Sequence, residues 1–235
     1  MSDIITIQNL RFRWPGNSVD TLSIEMLNIK AGEKVFIRGA SGAGKTTLLN
    51  LLSGVAEANS GLISVLGHEI KRLRPAARDH FRAQHIGYIF QAFNLIPYLT
   101  MVQNVALACH FSKERKQRVL KRATSLDAEI HRLLDHLELN DERLLHKPVT
   151  TLSIGQQQRV AAARALIGQP ELIIADEPTS ALDSDRRQRF LELLFQEVEN
   201  CGSTLVFVSH DASLEKLFDR SVRLSELKQA RELQP

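Results

Sequence analysis

The sequence predicts an α/β fold with a mostly parallel sheet, a small antiparallel β-subdomain and an inserted helical subdomain. Three observations predict it. Short apolar runs such as residues 33–38 and 204–209 each end at a polar or glycine-rich turn, as buried parallel strands do. Residues 3–30 alternate between polar and apolar side chains, which is typical of antiparallel strands. Residues 92–150 instead carry apolar side chains at helical spacing.

Size and composition fit one large domain. We expect a single domain over residues 1–235, with the α/β core in 1–91 and 151–235 and the helical subdomain in 92–150. A hydrophobic content of 43% is ample for a packed core, and a net charge of +3 is too small to indicate a nucleic-acid partner. Cys109 and Cys201 form no metal or redox motif. With no secretory signal and no apolar run of about 18 residues, we expect a soluble, cytoplasmic protein that reaches a membrane only through a partner.

The antiparallel strands of residues 3–30 are separated by a turn at Pro15-Gly16-Asn17. Trp14, the sole tryptophan, comes directly before this turn. A flat aromatic ring there could stack on an adenine ring, but its position alone favours packing against the sheet.

The next motif is Gly39-Ala40-Ser41-Gly42-Ala43-Gly44-Lys45-Thr46, which fits the phosphate-binding pattern G-x-x-x-x-G-K-[ST] without mismatch. Its glycines let the backbone N–H groups approach a polyphosphate closely. Lys45 offers an ammonium to the β- and γ-phosphates, and the Thr46 hydroxyl can bind Mg²⁺. The loop lies between a predicted strand at 33–38 and a predicted helix that begins near Thr47, so the phosphates face a helix N-terminus.

Residues 61–90 predict further elements of the α/β fold: a strand leading to a turn within 61–68, a helix at 75–84 and a strand at 86–90 that ends at Gln91. The Gln91 amide could reach a metal ion, a water or a hinge, although such a residue is more often a solvated strand end. The insert that follows predicts an apolar helix at 98–110 and a long, charged helical stretch at 113–139. We interpret its basic run, Lys113–Arg122, as a solvated helix face, because no aromatic residues are interleaved to stack on bases.

Ser153 and Gly155 open a further predicted helix, which runs through Leu166. Ser153 is a suitable N-cap, and a Ser–Gly pair at a helix start is a second potential anion site. Because one nucleotide needs only one such loop, the second predicts either a second ligand or a site completed by another subunit.

A buried strand at 171–177 ends in two carboxylates, Asp176 and Glu177. An open parallel sheet places its ligands at the carboxyl ends of its strands. Adjacent residues of a strand point to opposite sides, so the two acids can have different tasks. Asp176 can hold Mg²⁺, and Glu177 can polarise an attacking water. The last buried strand, 204–209, leads to His210, which we expect at the same edge of the sheet.

Together these motifs resemble the ATP-binding cassette of ABC transporters, which has a P-loop NTPase core, and the resemblance covers nearly the whole chain. Leu152-Ser153-Ile154-Gly155-Gln156 resembles the family's signature sequence, with Ile154 in place of its first glycine. Asp176–Asp183 resembles the Walker B and D-loop pattern. The resemblance implies that Gln91 is the Q-loop glutamine, that His210 is the switch histidine and that Trp14 stacks on adenine, which reverses the preference from position alone.

The resemblance also implies a complete set of site residues. The catalytic residues would be Lys45, Glu177 and His210, and the Mg²⁺ ligands Thr46, Gln91 and Asp176. The ATP contacts would come from Trp14, Gly39, Ser41, Gly42, Ala43, Gly44, Lys45, Thr46, Thr47, Gln91, Ser153, Gly155, Gln156 and Asp183. Two copies would pair head to tail, each ATP lying between the phosphate loop of one copy and the signature of the other.

Phe90–Pro97 with Leu99, Thr100, Asn104 and Val105 resembles the cassettes of lipoprotein release, macrolide efflux and cell division. The resemblance therefore implies a transmembrane permease as partner and a place at the cytoplasmic face of the inner membrane, where ATP hydrolysis drives efflux or extraction. The alternative is a nucleotide-controlled interaction module that moves no substrate. Intact Glu177 and His210 allow hydrolysis in both, so the sequence does not separate them.

Overall fold

The computed structural model describes residues 2–228, which divide into two compact units. One unit is formed by the residues up to Arg82 and from Thr204 onward, and the other by Ala83–Ser203. The predicted helical insert at 92–150 lies within the second unit, together with strands and helices from both of its sides. The predicted α/β class, with parallel strands and a small antiparallel sheet, is confirmed. The boundaries predicted for the helical subdomain stay a prediction.

The first unit contains an antiparallel sheet in the strand order β2-β1-β4-β5. Its strands are β1 (Asp3–Phe12), β2 (Leu22–Lys30), β4 (Ser60–Val65) and β5 (His68–Glu69). The alternation of residues 3–30 has the predicted effect over part of β1, where Ile5 and Ile7 are fully buried and Gln8 is exposed. It is interrupted before the buried Leu10, where the register with β4 shifts. Within the predicted turn, the Asn17 N–H donates to the Trp14 carbonyl at 3.1 Å.

The first unit also contains three parallel strands, β3 (Lys34–Arg38), β8 (Thr204–Ser209) and β9 (Arg220–Arg223), with β3 between the other two. Phe36 on β3 and Phe207 on β8 stack at 6.1 Å between ring centroids, and both contact Phe218. Helix α1 (Lys45–Leu52) follows β3, α2 (Pro75–His85) leads from the first unit into the second, and α9 is Leu224–Lys228.

The second unit pairs β6 (Ile86–Ile89) in parallel with β7 (Leu172–Asp176). Its helices are α3 (Met101–Phe111), α4 (Lys113–Leu120), α5 (Leu126–His136), α6 (Glu142–Leu145), α7 (Ile154–Leu166) and α8 (Ser184–Cys201). In the part of the chain that the structure describes, no helix is both long and apolar enough to cross a membrane.

The largest differences from the predicted helices occur in two places, and capping explains both. The helix predicted from residue 98 begins at Met101, because Thr100 and Gln103 form a capping box in which each side chain accepts a hydrogen bond from the other's backbone N–H. The stretch predicted as helical over 113–139 is two helices. Ser125 caps the second by accepting from the Ala128 N–H at 3.0 Å, so the chain leaves helical geometry before it.

The interpretation of Lys113–Arg122 as a solvated face is wrong for Arg115, which is only 2% exposed. Its guanidinium donates to the carbonyls of Ile86 at 2.6 Å, of Ala165 and Ile167 at 3.3 Å and of Gln84 at 3.4 Å. Lys113 and Lys116 on the same helix are exposed, as predicted. The basic run therefore contains one cation that is part of the core.

Candidate functional site

The phosphate loop joins β3 to α1 in the first unit. Gly42 and Gly44 have positive φ angles of 76° and 98°, which side chains rarely adopt. Gly44 has a second reason to be glycine, because an added Cβ would lie 2.9 Å from Leu22 Cδ2. The mostly buried Lys45 ammonium donates to the carbonyls of Gly39 at 2.8 Å and of Ala40 at 3.1 Å. A loop backbone with only glycines and small side chains, and an ammonium beside it, suits a polyphosphate.

The remaining predicted site residues of this part of the chain lie in the loop or beside it. Ser41 and Thr46 are exposed, and Ala43 is half-buried. Trp14 packs edge-on against Phe12, at 4.9 Å between ring centroids, and its Nε1 donates to the Thr47 hydroxyl on α1 at 3.4 Å. The indole remains 40% exposed. One side of the Trp14 ring therefore packs against the sheet, as its position in the sequence favoured, and part of the ring stays accessible to solvent. Its contact with adenine stays a prediction.

His210 comes to the same edge of the first unit as the phosphate loop. Arg38, the last residue of β3, pairs with Ser209, the last residue of β8. Gly39 and His210 therefore leave neighbouring parallel strands at the same level, and His210 is exposed. This is the placement expected from the sequence.

Gln91, Asp176 and Glu177 meet in the same way at one edge of the second unit. Ile89 of β6 pairs with Ala175 of β7, so Gln91 and the two acids all lie within two residues of this pair. Asp176 is 5% exposed and Glu177 8%, whereas Gln91 is exposed. Burial, together with the nearby charge of Asp176, raises the pKa of Tyr88 well above its usual range. The phenol therefore stays neutral beside this carboxylate.

Glu177 has a feature that the sequence did not predict, a left-handed backbone with φ of 46°. A glutamate in this region costs about 1–3 kcal/mol, and such strain concentrates at functional sites. The backbone turns here into the segment that leads to Asp183, with the Ser180 N–H donating to the Glu177 carbonyl at 3.2 Å. Glu177 thus leaves the line of β7 while its side chain stays mostly buried.

The signature segment begins α7 as predicted. Ser153 is its N-cap, and its hydroxyl accepts from the Gln156 N–H at 3.3 Å, while the Gln156 side chain accepts from the Ser153 N–H at 2.9 Å. The amide oxygen of Gln156 therefore has a structural task in the capping box, beside the nucleotide contact predicted for it. Ile154 is 56% exposed and half-buried Gly155 follows it.

An open cavity of about 230 Å³ lies beside this helix start. It is lined by Ser153, Gly155, Gln156, Arg159, Leu182, Arg186 and Phe190. Asp183, predicted as a nucleotide contact, is the N-cap of α8, accepting from the Arg186 N–H at 3.0 Å. The helix N-terminus makes this side of the second unit favourable for an anion. The guanidinium groups of Arg159 and Arg186 pair with Glu138 at 3.0 Å and with Asp183 at 3.4 Å.

Sequence reasoning missed Arg164, and it named Asn104 only as part of a family resemblance, without a structural role. Both hold the loop that follows Gln91. Besides that resemblance, the sequence shows a cation inside the alanine-rich run Val160–Leu166 and an amide in an apolar helix. Neither pattern specifies a partner.

Comparison with known proteins agrees with this arrangement. The chain is 38% identical over 198 residues to the lipoprotein-releasing system ATP-binding protein LolD of Bacteroides fragilis, covering 84% of this chain and 88% of that protein. It is 37% identical over 225 residues to the macrolide export ATP-binding/permease protein MacB of Pasteurella multocida. That match covers 95% of this chain but 33% of MacB, so the chain spans about a third of this relative.

Among solved structures, the chain is similar to a dimeric structure of the ATP-binding cassette MJ0796 in a post-hydrolysis state bound to ADP and Pi. The TM-score is 0.77 at 34% identity, over 93% of each chain. The model of the ABC transporter family matches residues 23–180, more than half of the sequence. The resemblance predicted from the motifs is thereby confirmed, and we conclude that this chain belongs to the ABC transporter family.

Proposed function

We propose that this chain is the ATP-hydrolysing cassette of a transporter and converts ATP and water to ADP and phosphate. The observation that carries the proposal is Glu177, a mostly buried carboxylate held in a left-handed turn directly after Asp176. A phosphate loop alone suits any polyphosphate binder. A second carboxylate beside the metal-binding one adds a group that can orient and polarise water. The relative solved with ADP and Pi supports hydrolysis in this family.

Each residue of the site then has a task. The Lys45 ammonium, which now donates to the Gly39 and Ala40 carbonyls, would hold the β- and γ-phosphate oxygens. Trp14 would stack on the adenine. Glu177 would hold the attacking water and accept its proton, and His210 would contact the γ-phosphate.

The residues predicted to bind Mg²⁺ fit this ion. Thr46 offers a hydroxyl, Gln91 an amide oxygen and Asp176 a carboxylate, and Mg²⁺ prefers such oxygen ligands. When bound, Mg²⁺ would neutralise charge that develops on the phosphate oxygens. The chain itself would supply the matching positive charge through Lys45 and the backbone N–H groups of the phosphate loop.

Gly155 supports the head-to-tail dimer. The fold does not require glycine there: its φ is not positive, and an added Cβ would meet only Leu182 Cδ2, at an ordinary 3.7 Å. Glycine near a helix start is therefore explained by a group that approaches from outside the chain. We assign this group to the γ-phosphate of ATP bound to a second copy, contacted by the Ser153 hydroxyl and the Gly155 N–H, with Gln156 and Asp183 beside them.

Replacement of Gly155 by Ala should separate folding from catalysis. The isolated chain should keep its Tm and its affinity for ATP, because the new methyl group has room. Turnover should fall by a factor on the order of 10², because a methyl group displaces the opposing phosphate by about 1 Å. Differential scanning calorimetry, nucleotide titration and phosphate release measure the three quantities. Full activity in this variant would contradict the proposed role of the signature.

The partner would be a transmembrane permease, with the cassette at the cytoplasmic face of the inner membrane. The relatives are named for macrolide export and lipoprotein release, so efflux or extraction is the proposed use of the ATP. The absence of a long apolar helix among residues 2–228 is compatible with a cassette bound to such a permease.

This part of the proposal is tested by capturing the partner. Tagged Glu177→Gln protein, incubated with Mg-ATP in detergent-solubilised membranes, should bring down a permease identified by mass spectrometry, and the amount should fall when ATP is omitted. A permease with few spans and a large extracytoplasmic domain would support the lipoprotein-release and macrolide-export group. Capture of no membrane protein would favour the nucleotide-controlled interaction module.

A further inference from the structure

The loop that follows Gln91 contains two consecutive non-glycine residues in the left-handed region, Phe93 with φ of 60° and Asn94 with φ of 47°. Asparagine tolerates this conformation, whereas a bulky aromatic residue adopts it only rarely and at an energetic cost. Two such residues in a row persist only where neighbouring groups hold them in place. The loop is therefore a strained segment next to a proposed site residue.

Arg164 holds this strained part. Its guanidinium extends from the last turn of α7 and donates to the carbonyls of Phe93 and Asn94, each at 2.6 Å. A planar guanidinium can serve two successive carbonyls at once, which a lysine ammonium on a flexible chain does not reproduce. The two carbonyls that Arg164 binds are those of the two left-handed residues.

The far end of the loop is attached to a different helix. Asn104 on α3 is completely buried, and its side chain accepts from the Ile96 N–H at 2.8 Å and donates to the Ile96 and Thr100 carbonyls at 3.1 Å. The loop is thus hydrogen-bonded to α3 at its far end and to α7 at the end near Gln91. A shift of α7 relative to α3 would displace the strained residues.

We infer that Arg164 is a positioning residue that couples Gln91 to the signature end of α7 within one protomer. Ser153 and Arg164 lie eleven residues apart on this helix, or roughly 16 Å at about 1.5 Å per residue. A rigid helix transmits a displacement over such a distance. The inference rests on the proposed function: the partner's nucleotide at Ser153 and Gly155 would move α7, and Arg164 would pass this movement to the Gln91 loop. Because such coupling is reciprocal, the state of Gln91 would also alter binding at the signature.

The test compares Arg164→Lys with Arg118→Lys. Arg118 is a matched control, since it also donates to two backbone carbonyls of this unit, those of Gln84 at 2.6 Å and Gln169 at 2.9 Å, and does not hold the Gln91 loop. Amide hydrogen exchange at residues 92–96 is measured in the Glu177→Gln background with and without Mg-ATP. With Arg164 intact, Mg-ATP should change the exchange rate at least about fivefold, the low end of ordinary coupling.

In Arg164→Lys this nucleotide-dependent change should disappear. With Glu177 restored, the same substitution should lower kcat by a factor on the order of ten, while ATP affinity of the isolated chain stays unchanged. Arg118→Lys should retain the exchange response and kcat even if its Tm falls equally. A purely structural role for Arg164 would instead lower Tm alone and leave the response intact, and that result would overturn the inference.

A second variant covers the case that Arg164→Lys does not fold. Asn94→Pro forces φ near −65°, far from the observed 47°, and so withdraws the loop carbonyls without altering α7. It should abolish the same exchange response, and an intact response would count against the coupling. The two proposals fail differently. If the wild-type protein neither binds nor hydrolyses ATP, the proposed function is contradicted. If it hydrolyses ATP normally, but the exchange response to Mg-ATP is the same in Arg164→Lys and Asn94→Pro as in wild type, only the coupling is contradicted.

Discussion

Replacement of Glu177 by Gln is expected to lower ATP turnover by a factor on the order of a hundred or more while ATP still binds. The two side chains have nearly the same shape, so the mostly buried position and the left-handed turn can be kept. The amide cannot accept a proton from the attacking water, and loss of a positioned general base typically costs 10²–10⁴-fold. Phosphate release, nucleotide titration and size-exclusion chromatography with Mg-ATP measure turnover, binding and a long-lived dimer.

Two further variants sharpen this experiment. Glu192→Gln removes an exposed carboxylate on α8 and should leave turnover unchanged. Asp176→Asn should weaken Mg-ATP binding itself, because this residue is proposed to bind the metal ion rather than the water. Unchanged turnover in Glu177→Gln, or equal loss of binding in both acid variants, would refute the division of tasks between the two carboxylates.

Replacement of Arg115 by Met is expected to destabilise the second unit by about 3–5 kcal/mol, because several backbone acceptors lose a charged donor and each buried acceptor left unsatisfied costs about 1–3 kcal/mol. Arg115 is 2% exposed, and its guanidinium serves four backbone carbonyls: those before and within β6, and those at the end of α7. Methionine fills much of the same volume but donates nothing, so these acceptors lose their donor. Burial already lowers the pKa of Arg115 to about 10, yet the group remains charged at neutral pH.

The matched control is Lys116→Met, which removes the neighbouring cation from the exposed side of the same helix. It should change the free energy of unfolding by less than about 0.5 kcal/mol, as exposed substitutions do. Urea unfolding followed by circular dichroism compares the two variants with wild type. Equal effects of the two substitutions would show that the carbonyl contacts of Arg115 contribute little to stability.

Most of the candidate site could be predicted from the sequence, because its parts are short local patterns. The phosphate loop needs small residues and a lysine at fixed spacing, and the capping of α7 needs Ser153 and Gln156 three residues apart. Both depend on backbone geometry over a few residues. The location of the two acids at the end of β7 could be predicted, because parallel strands place their carboxyl ends at the same edge of a sheet.

Helix boundaries in residues 92–150 were harder to predict. Apolar spacing alone extended one helix back to residue 98 and joined two others over 113–139, because periodicity continues where helical geometry does not. The caps Thr100 and Ser125 were present in the sequence, but each competes with other serines and threonines nearby. Which serine or threonine becomes the N-cap depends on where the neighbouring helices pack.

The sequence by itself determined the family and the α/β class, and it predicted the residues that would meet a nucleotide, since these follow from local motifs. Only the tertiary structure decided that Arg115 is a core residue, that Arg164 clamps two left-handed residues and that Glu177 is strained. The physical reason is common to all three. The groups that bind these residues or maintain their strain lie on other elements of the fold. No periodicity or spacing in the chain specifies which backbone carbonyl a charged side chain will reach.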